Sequence, residues 1–168
     1  MTTATSQVFI DGASARQRSM LESGKVSRHM QEEPILAFNA AAAWWGFVVE
    51  DMRDKLYISK DNKKLLKTGT MSFNLPALFT CPGHGVCGLS CYATKGHYVQ
   101  KSPERVRLEN LYWIINHGYV EFASAMPHLL RSCGFASCRP HDSGDFFSQG
   151  YVDAWASIAS DCPSLEFH

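Results

Sequence analysis

An α/β fold, either a partial (β/α) barrel or an open parallel sheet with helical crossovers, is what the sequence predicts. Three observations carry it. Short apolar runs suited to strands recur at 70–79, 135–139 and 165–167, and runs with helical spacing stand between them. The two glycine-containing loops, TCPGHGVCGLSCYATKGHY and HDSGD, each follow a predicted strand. Strands joined by helices run parallel, so reactive loops gather at their carboxyl ends. A complete eight-stranded barrel needs roughly 200 residues or more. The 168 residues here hold only part of one.

Residues 1–33, rich in Ser, Thr, Ala, Gln and Arg and without sustained periodicity, read as a loosely docked arm. Over 34–55, the run ILAFNAAAAWWGFVVEDMRDK has alanine and aromatic content suited to a buried helix, although Val48 and Val49 also suit a strand. KDNKKLLKTG is polar and turn-prone, its four lysines reading as solvated surface. It divides an N-terminal arm and helical appendage, 1–61, from a cysteine-loop α/β core, 62–168. A strand over 70–79 leads into the cysteine loop. Ser102, Pro103 and Glu104 open a helix that carries Leu108, Leu111, Tyr112 and Ile115, and Gly118 ends it. A second helical pattern over 119–132 runs through Val120, Ala123, Met126 and Leu130, with Pro127 as a kink and Gly134 as a stop. After the strand at 135–139 and the HDSGD loop, Ser148 caps a helix with Tyr151, Val152, Trp155, Ile158 and Ala159 on one face. Leu165 to Phe167 form the last strand, and no internal repeat is visible.

Charge and hydropathy remove several function classes. Sixteen basic and sixteen acidic residues cancel, so no global field favours coating nucleic acid or an anionic membrane. The longest apolar stretch, 40–49, is ten residues and contains Gly46, too short to span a bilayer. The first twenty residues lack a basic head followed by an apolar segment, so no secretory signal is expected and cytoplasmic residence is the default. In a reducing compartment the six cysteines serve metal binding, redox chemistry or burial rather than a disulfide framework.

Cys81, Cys87 and Cys91 are spaced C-x5-C-x3-C in a glycine-rich loop, with His84 between the first two. Thiolates are soft ligands for zinc and iron–sulfur clusters, and a flexible loop lets several converge. Three cysteines hold three irons of a four-iron cluster and leave the fourth iron open. A closed zinc site wants a fourth ligand such as His84 or His97. Burial as small hydrophobes is the alternative. In the second loop, His141, Asp142, Ser143 and Asp145 have the chemistry to bind a cation or substrate hydroxyls, or to shuttle protons. Equally, Ser143 and Asp145 suit the capping of a Gly144 turn. Cys133 and Cys138, five apart, permit a second metal pair but suit burial better, and Cys162 reads as structural. Tyr92, Tyr98, Trp44, Trp45 and Trp155 suit base stacking or a core, and Arg105, Arg107 and Arg139 an anionic substrate or solvent. No P-loop, nucleophile-elbow or zincin motif occurs.

SFNLPALFTCPGHGVCGLSCYATKG, the asparagine-bearing helix ending LEN, and HDSGDFFSQGYVDAWASIA together resemble a bacteriophage family known as gene product eighty-eight, over about residues 62–167. The loop ending CYA is also similar to loops of radical S-adenosylmethionine enzymes, where three cysteines hold a 4Fe-4S cluster at the top of a barrel. This spacing departs from that group's C-x3-C-x2-C in both intervals, which bears on S-adenosylmethionine before it bears on the cluster. The resemblance implies a phage protein in the bacterial host cytoplasm, with an iron–sulfur cofactor on Cys81, Cys87 and Cys91. Its substrate would be a small molecule or nucleotide-like. Tyr92 and Ser143 are then cofactor-binding candidates, and His141, Asp142 and Asp145 catalytic ones. The alternatives are a zinc-stabilised binding module, with His84 joining the cysteines, or a structural or assembly protein of a phage.

Overall fold

Alanine content and a regular apolar stripe dictate the first helix, α1 (Pro34–Trp45), in the computed structural model, which describes residues 34–60 and 62–168. Phe38, Ala41, Ala42 and Trp45 fall on one face at helical spacing, and all are buried. The loosely docked arm expected over 1–33 lies outside the described residues. α1 stops well short of 55 because Gly46 takes a left-handed φ of 68°. Val49–Asp51 then make a single 3-10 turn, so the strand alternative for Val48 and Val49 is not realised, and Val48 is exposed. The lysine stretch forms one helical turn, α2 (Lys63–Leu66), capped by the Asn62 side chain accepting from the Lys64 amide at 3.1 Å.

β1 (Thr70–Phe73) is shorter than the run that predicted it. Residues 75–80 are all buried, which mimics a strand in sequence. Pro76 lacks an amide hydrogen, however, and Leu78 has a φ of 69°, so the segment turns instead. The cysteine loop contains α3 (Gly85–Ser90) and two 3-10 turns, Tyr92–Thr94 and Gly96–Val99. α4 (Lys101–Cys133) is interrupted at Gly118, whose φ of 80° and ψ of 175° are non-helical, so it comprises the two expected helices end to end. It runs on through Pro127 and closes on Gly134 in the left-handed region. β2 (Ser137–Pro140), α5 (Gln149–Asp161) and β3 (Glu166–Phe167) follow. Ser148 caps α5, its side chain accepting from the Tyr151 amide at 3.3 Å.

The three strands make an open parallel sheet in the order β1-β2-β3, with Thr70 opposite Ser137, Phe73 opposite Pro140 and Cys138 opposite Phe167. A barrel is not formed among the described residues, and the open-sheet form of the expectation describes them. Ser59 covers the free edge of β1 through paired amide bonds with Ser72. On α5, Tyr151, Ala154, Trp155 and Ile158 are buried, whereas Val152 turns off that stripe and is 39% exposed, contrary to its expected place on the apolar face. Phe73, Phe122 and Trp155 meet at ring separations of 5.5 to 5.7 Å between the sheet and the two long helices. Burying such a side chain contributes roughly 1.5–3 kcal/mol. Phe38, Trp45, Met52 and Leu56, from before residue 62, lie in the same hydrophobic core as Met71, Leu111 and Trp155.

Candidate functional site

Because β1 and β2 are parallel neighbours, their loops leave the sheet side by side at its carboxyl edge. Backbone and side-chain bonds stitch them together. The Asn74 side-chain oxygen accepts from the amides of Asp142 (2.8 Å) and Ser143 (3.0 Å), and His141 N donates to Phe73 O at 2.7 Å. Leu75 N donates to Ser143 O, while the Ser143 hydroxyl donates to Leu75 O at 3.0 Å, so that hydroxyl's proton is spent on joining the two loops. Behind them, Asn110 of α4 donates to the carbonyls of Asn74 and Tyr57 and accepts from the Tyr57 amide. Gly144 is required where it stands. Its φ is 84°, and a Cβ there would sit 2.6 Å from Thr80 Oγ1 and 2.7 Å from Leu75 Cβ.

Asp142 joins this loop to the cysteine loop. Its Oδ2 accepts from Tyr98 Oη at 2.6 Å and Asn62 Nδ2 at 2.8 Å. Tyr92 Oη donates to the Asp142 carbonyl at 2.7 Å and reaches Oδ1 at 3.4 Å, and Arg139 lies 3.8 Å from Oδ1. The two phenols stand edge to face with ring centroids 5.3 Å apart. Burial and the Asp142 carboxylate push both phenols above their usual range, so they act as donors at neutral pH. Tyr98 is held in turn by Arg107, which donates to its carbonyl at 2.7 Å, lies 5.0 Å from its ring centroid, and is paired with buried Glu104. Burial raises the Glu104 carboxyl against the opposing pull of Arg107.

Among the cysteines of the loop, Cys81 and Cys91 are half-buried and Cys87 is exposed. Burial pushes the Cys81 thiol up to about 12, with Asp145, Cys91 and Cys87 each adding to the rise. Cys91 is raised by burial and by Cys87, while the amides of Ala93 and Thr94 favour its thiolate. Cys81 thus feels the charge of Cys91, Cys87 and, across the two loops, Asp145, while Cys91 feels that of Cys87. Asp145 is exposed and also accepts from the Phe146 amide at 2.8 Å, the turn-capping role open to it. His84 Nδ1 lies 2.7 Å from the Cys81 carbonyl. A carbonyl only accepts, so the ring proton sits on Nδ1 and the lone pair on Nε2. Exposed His97 meets Gln100 instead, at 3.1 Å. Among the described residues, no three His, Cys, Asp or Glu side chains are grouped tightly enough to grip an ion as they stand.

His141 is placed differently from its neighbours. It has a φ of 69°, and its ring lies among those of Phe146 (4.9 Å), Tyr151 (5.5 Å), Trp155 and Phe73. Burial pushes its pKa down to about 3, and a small opposing effect of Ser143 does not offset this. Neither ring nitrogen meets a hydrogen-bond partner among the described residues, so the imidazole is a neutral member of an aromatic cluster. The structure thus joins Asp142 to Tyr92 and sets Asp145 within electrostatic reach of Cys81, while Ser143 ties its loop to Leu75 and Asn74 and the His141 ring packs among aromatic side chains. Sequence reasoning missed Asn62, Asn74 and Asn110 as the clamps. The available signals were an asparagine directly after a strand run and the asparagine of the LEN helix.

Trp45 and Trp155 are core residues, Trp44 packs beside them, and Tyr92 keeps 53% exposure. No helix among the described residues is long and apolar enough to cross a membrane. No curated protein and no solved structure matches the sequence. The family described as Gene product 88 matches over residues 52–168. With well over half of the sequence matched, including both loops and all three strands, the chain belongs to the Gene product 88 family.

Proposed function

We propose that this chain is a phage iron–sulfur protein in which Cys81, Cys87 and Cys91 hold a four-iron cluster beside the HDSGD loop. The observation that carries the reading is the placement of three cysteines within eleven residues of one glycine-rich loop at the carboxyl edge of a parallel sheet, two half-buried and one exposed. Thiols must lose their protons to ligate, and a bound cation supplies the charge that favours this. The donor set fits such a group. It supplies three soft ligands in one glycine-rich loop, and the Ala93 and Thr94 amides bear on one sulfur, a contact that tunes cluster potential. When bound, a cluster with one iron lacking a protein ligand supplies electrons and a position for a small donor ligand. S-adenosylmethionine is one such ligand. Around it, the exposed ring of Tyr92 and the half-exposed Arg139 side chain offer stacking and charge to a small or nucleotide-like substrate.

A second reading, a zinc-stabilised binding module, draws on His84. Its Nδ1 proton is directed to the Cys81 carbonyl, the arrangement that orients a histidine to ligate through Nε2. Anaerobic purification followed by iron, sulfide and zinc analysis separates the two. Iron with equivalent labile sulfide, and a brown colour that bleaches on reduction, is the expected result. Colourless protein with one zinc replaces the cluster with the binding module, and protein free of both metals overturns the metal reading.

A further inference from the structure

We infer that Asp142 is a positioning residue, a latch that fastens the end of the cysteine loop to the β2 loop and so sets the accessibility of Cys91. Its meaning for metal binding rests on the reading above, but the latch itself is a property of the metal-free chain. Three side chains converge on this buried carboxylate at hydrogen-bond distance, those of Tyr98, Asn62 and Tyr92, with Arg139 nearby. A carboxylate offers about four lone-pair positions. Both positions on Oδ2 are taken by Tyr98 and Asn62, which makes that oxygen a structural tie between the two loops.

The latch is anchored on both sides. On one side, Asn74 holds the Asp142 and Ser143 amides, fixing the carboxylate to the end of β1. On the other, Arg107 grips the Tyr98 carbonyl and ring from the helix that follows the loop. Tyr92 is the residue directly after Cys91; its hydroxyl donates to the Asp142 carbonyl and its ring stands edge to face on Tyr98, so the bond from Tyr98 to the Asp142 carboxylate also restrains the backbone beside that thiol. The buried turn between the tyrosines, with the Thr94 hydroxyl donating to the Cys91 carbonyl at 2.7 Å, transmits the restraint. Charge-assisted bonds to a carboxylate are the stronger class, so removing the acceptor should loosen the loop without dissolving the core.

The test is alkylation of the reduced, metal-free full-length protein by iodoacetamide, followed cysteine by cysteine by mass spectrometry. Asp142→Ala should speed Cys91 modification about 10-fold to 100-fold, the factor expected for losing bonds to a charged acceptor. Cys138 and Cys162 should stay protected, which shows that the fold persists. Asp142→Asn, which keeps an acceptor for Tyr98, should remain within about threefold of the native rate. If Asp142→Ala exposes Cys138 and Cys162, the Tyr92→Phe, Tyr98→Phe double variant replaces it, with the same acceleration at Cys91 expected. An unchanged Cys91 rate with Cys138 still protected overturns the latch. Acceleration in a protein that binds no metal upholds the latch and discards only the cluster.

Discussion

The molecule carries two sets of three cysteines at opposite edges of one sheet, and they have different fates. Cys81, Cys87 and Cys91 lie within eleven consecutive residues beyond the end of β1. Cys133, Cys138 and Cys162 are far apart in sequence and are gathered by the fold. Cys133 ends α4 and Cys162 follows α5, each four residues before the next strand, and Cys138 sits in β2. Both sets show charge coupling. Burial raises Cys138 to about 12, with Cys133 and Cys162 contributing, much as Cys81 is raised by its own partners. What separates them is access and local field. Cys138 and Cys162 are buried, and helix carboxyl ends carry partial negative charge that opposes a thiolate. The loop set has one exposed thiol, two half-buried ones and amide donors beside Cys91. The two sets therefore differ in access and in the donors beside them, the features that govern thiol reactivity.

At neutral pH the largest predicted effects fall on the backbone of the two edges. Gly144→Ala should lose about 3 kcal/mol or more, because it combines a left-handed φ with sub-contact distances to Thr80 and Leu75. Gly134→Ala, at the other edge, has the same hand of φ but nothing within 4 Å, and should lose only about 1 kcal/mol. Urea unfolding of both variants checks the difference, and equal losses would show that the β2 loop is not the tighter element.

A second effect is nil at neutral pH and grows on acidification. His141 stays neutral when folded, with its pKa down to about 3 against an ordinary value of 6.5. Below 6.5 the unfolded chain takes up a proton that the folded chain refuses, so stability falls as pH drops from 6.5 toward 3. The slope from this residue is about 1.4 kcal/mol per pH unit at most. His141→Leu should flatten the acid side of the stability curve over that window. An unchanged slope would mean that His141 reaches a partner or solvent.

The smallest of these effects divides the thiols themselves. Cys138→Ser places a hydroxyl in the core and should lose about 1–2 kcal/mol. Cys87→Ser, on an exposed turn, should change metal-free stability by less than about 0.5 kcal/mol. Similar losses in the two would erase the distinction between core sulfur and loop sulfur.

Much of the fold was legible because its signals are local. The helical stripes, the stops at Gly118 and Gly134, the Ser148 cap and the order of three parallel strands all follow from spacing and turn chemistry. β1 was read six residues too long because burial without pairing looks the same in sequence as a strand, until Pro76 and the turn at Leu78 are weighed. Within the site, crowded cysteines and the HDSGD run were visible as candidates. Asn62, Asn74 and Asn110 were not, because their work is long-range bonding between segments, which leaves no periodicity. The aromatic surroundings of His141 were equally hidden, since Phe73, Phe146, Tyr151 and Trp155 converge only in three dimensions.

The central claim is that the carboxyl-edge set binds metal and the opposite set does not. The most direct measurement is metal content per chain in anaerobically prepared Cys87→Ala and Cys162→Ala, side by side with the unaltered protein. The account predicts that Cys87→Ala loses most of its iron while Cys162→Ala retains the full complement. Equal metal in the two variants, or loss only in Cys162→Ala, would contradict it.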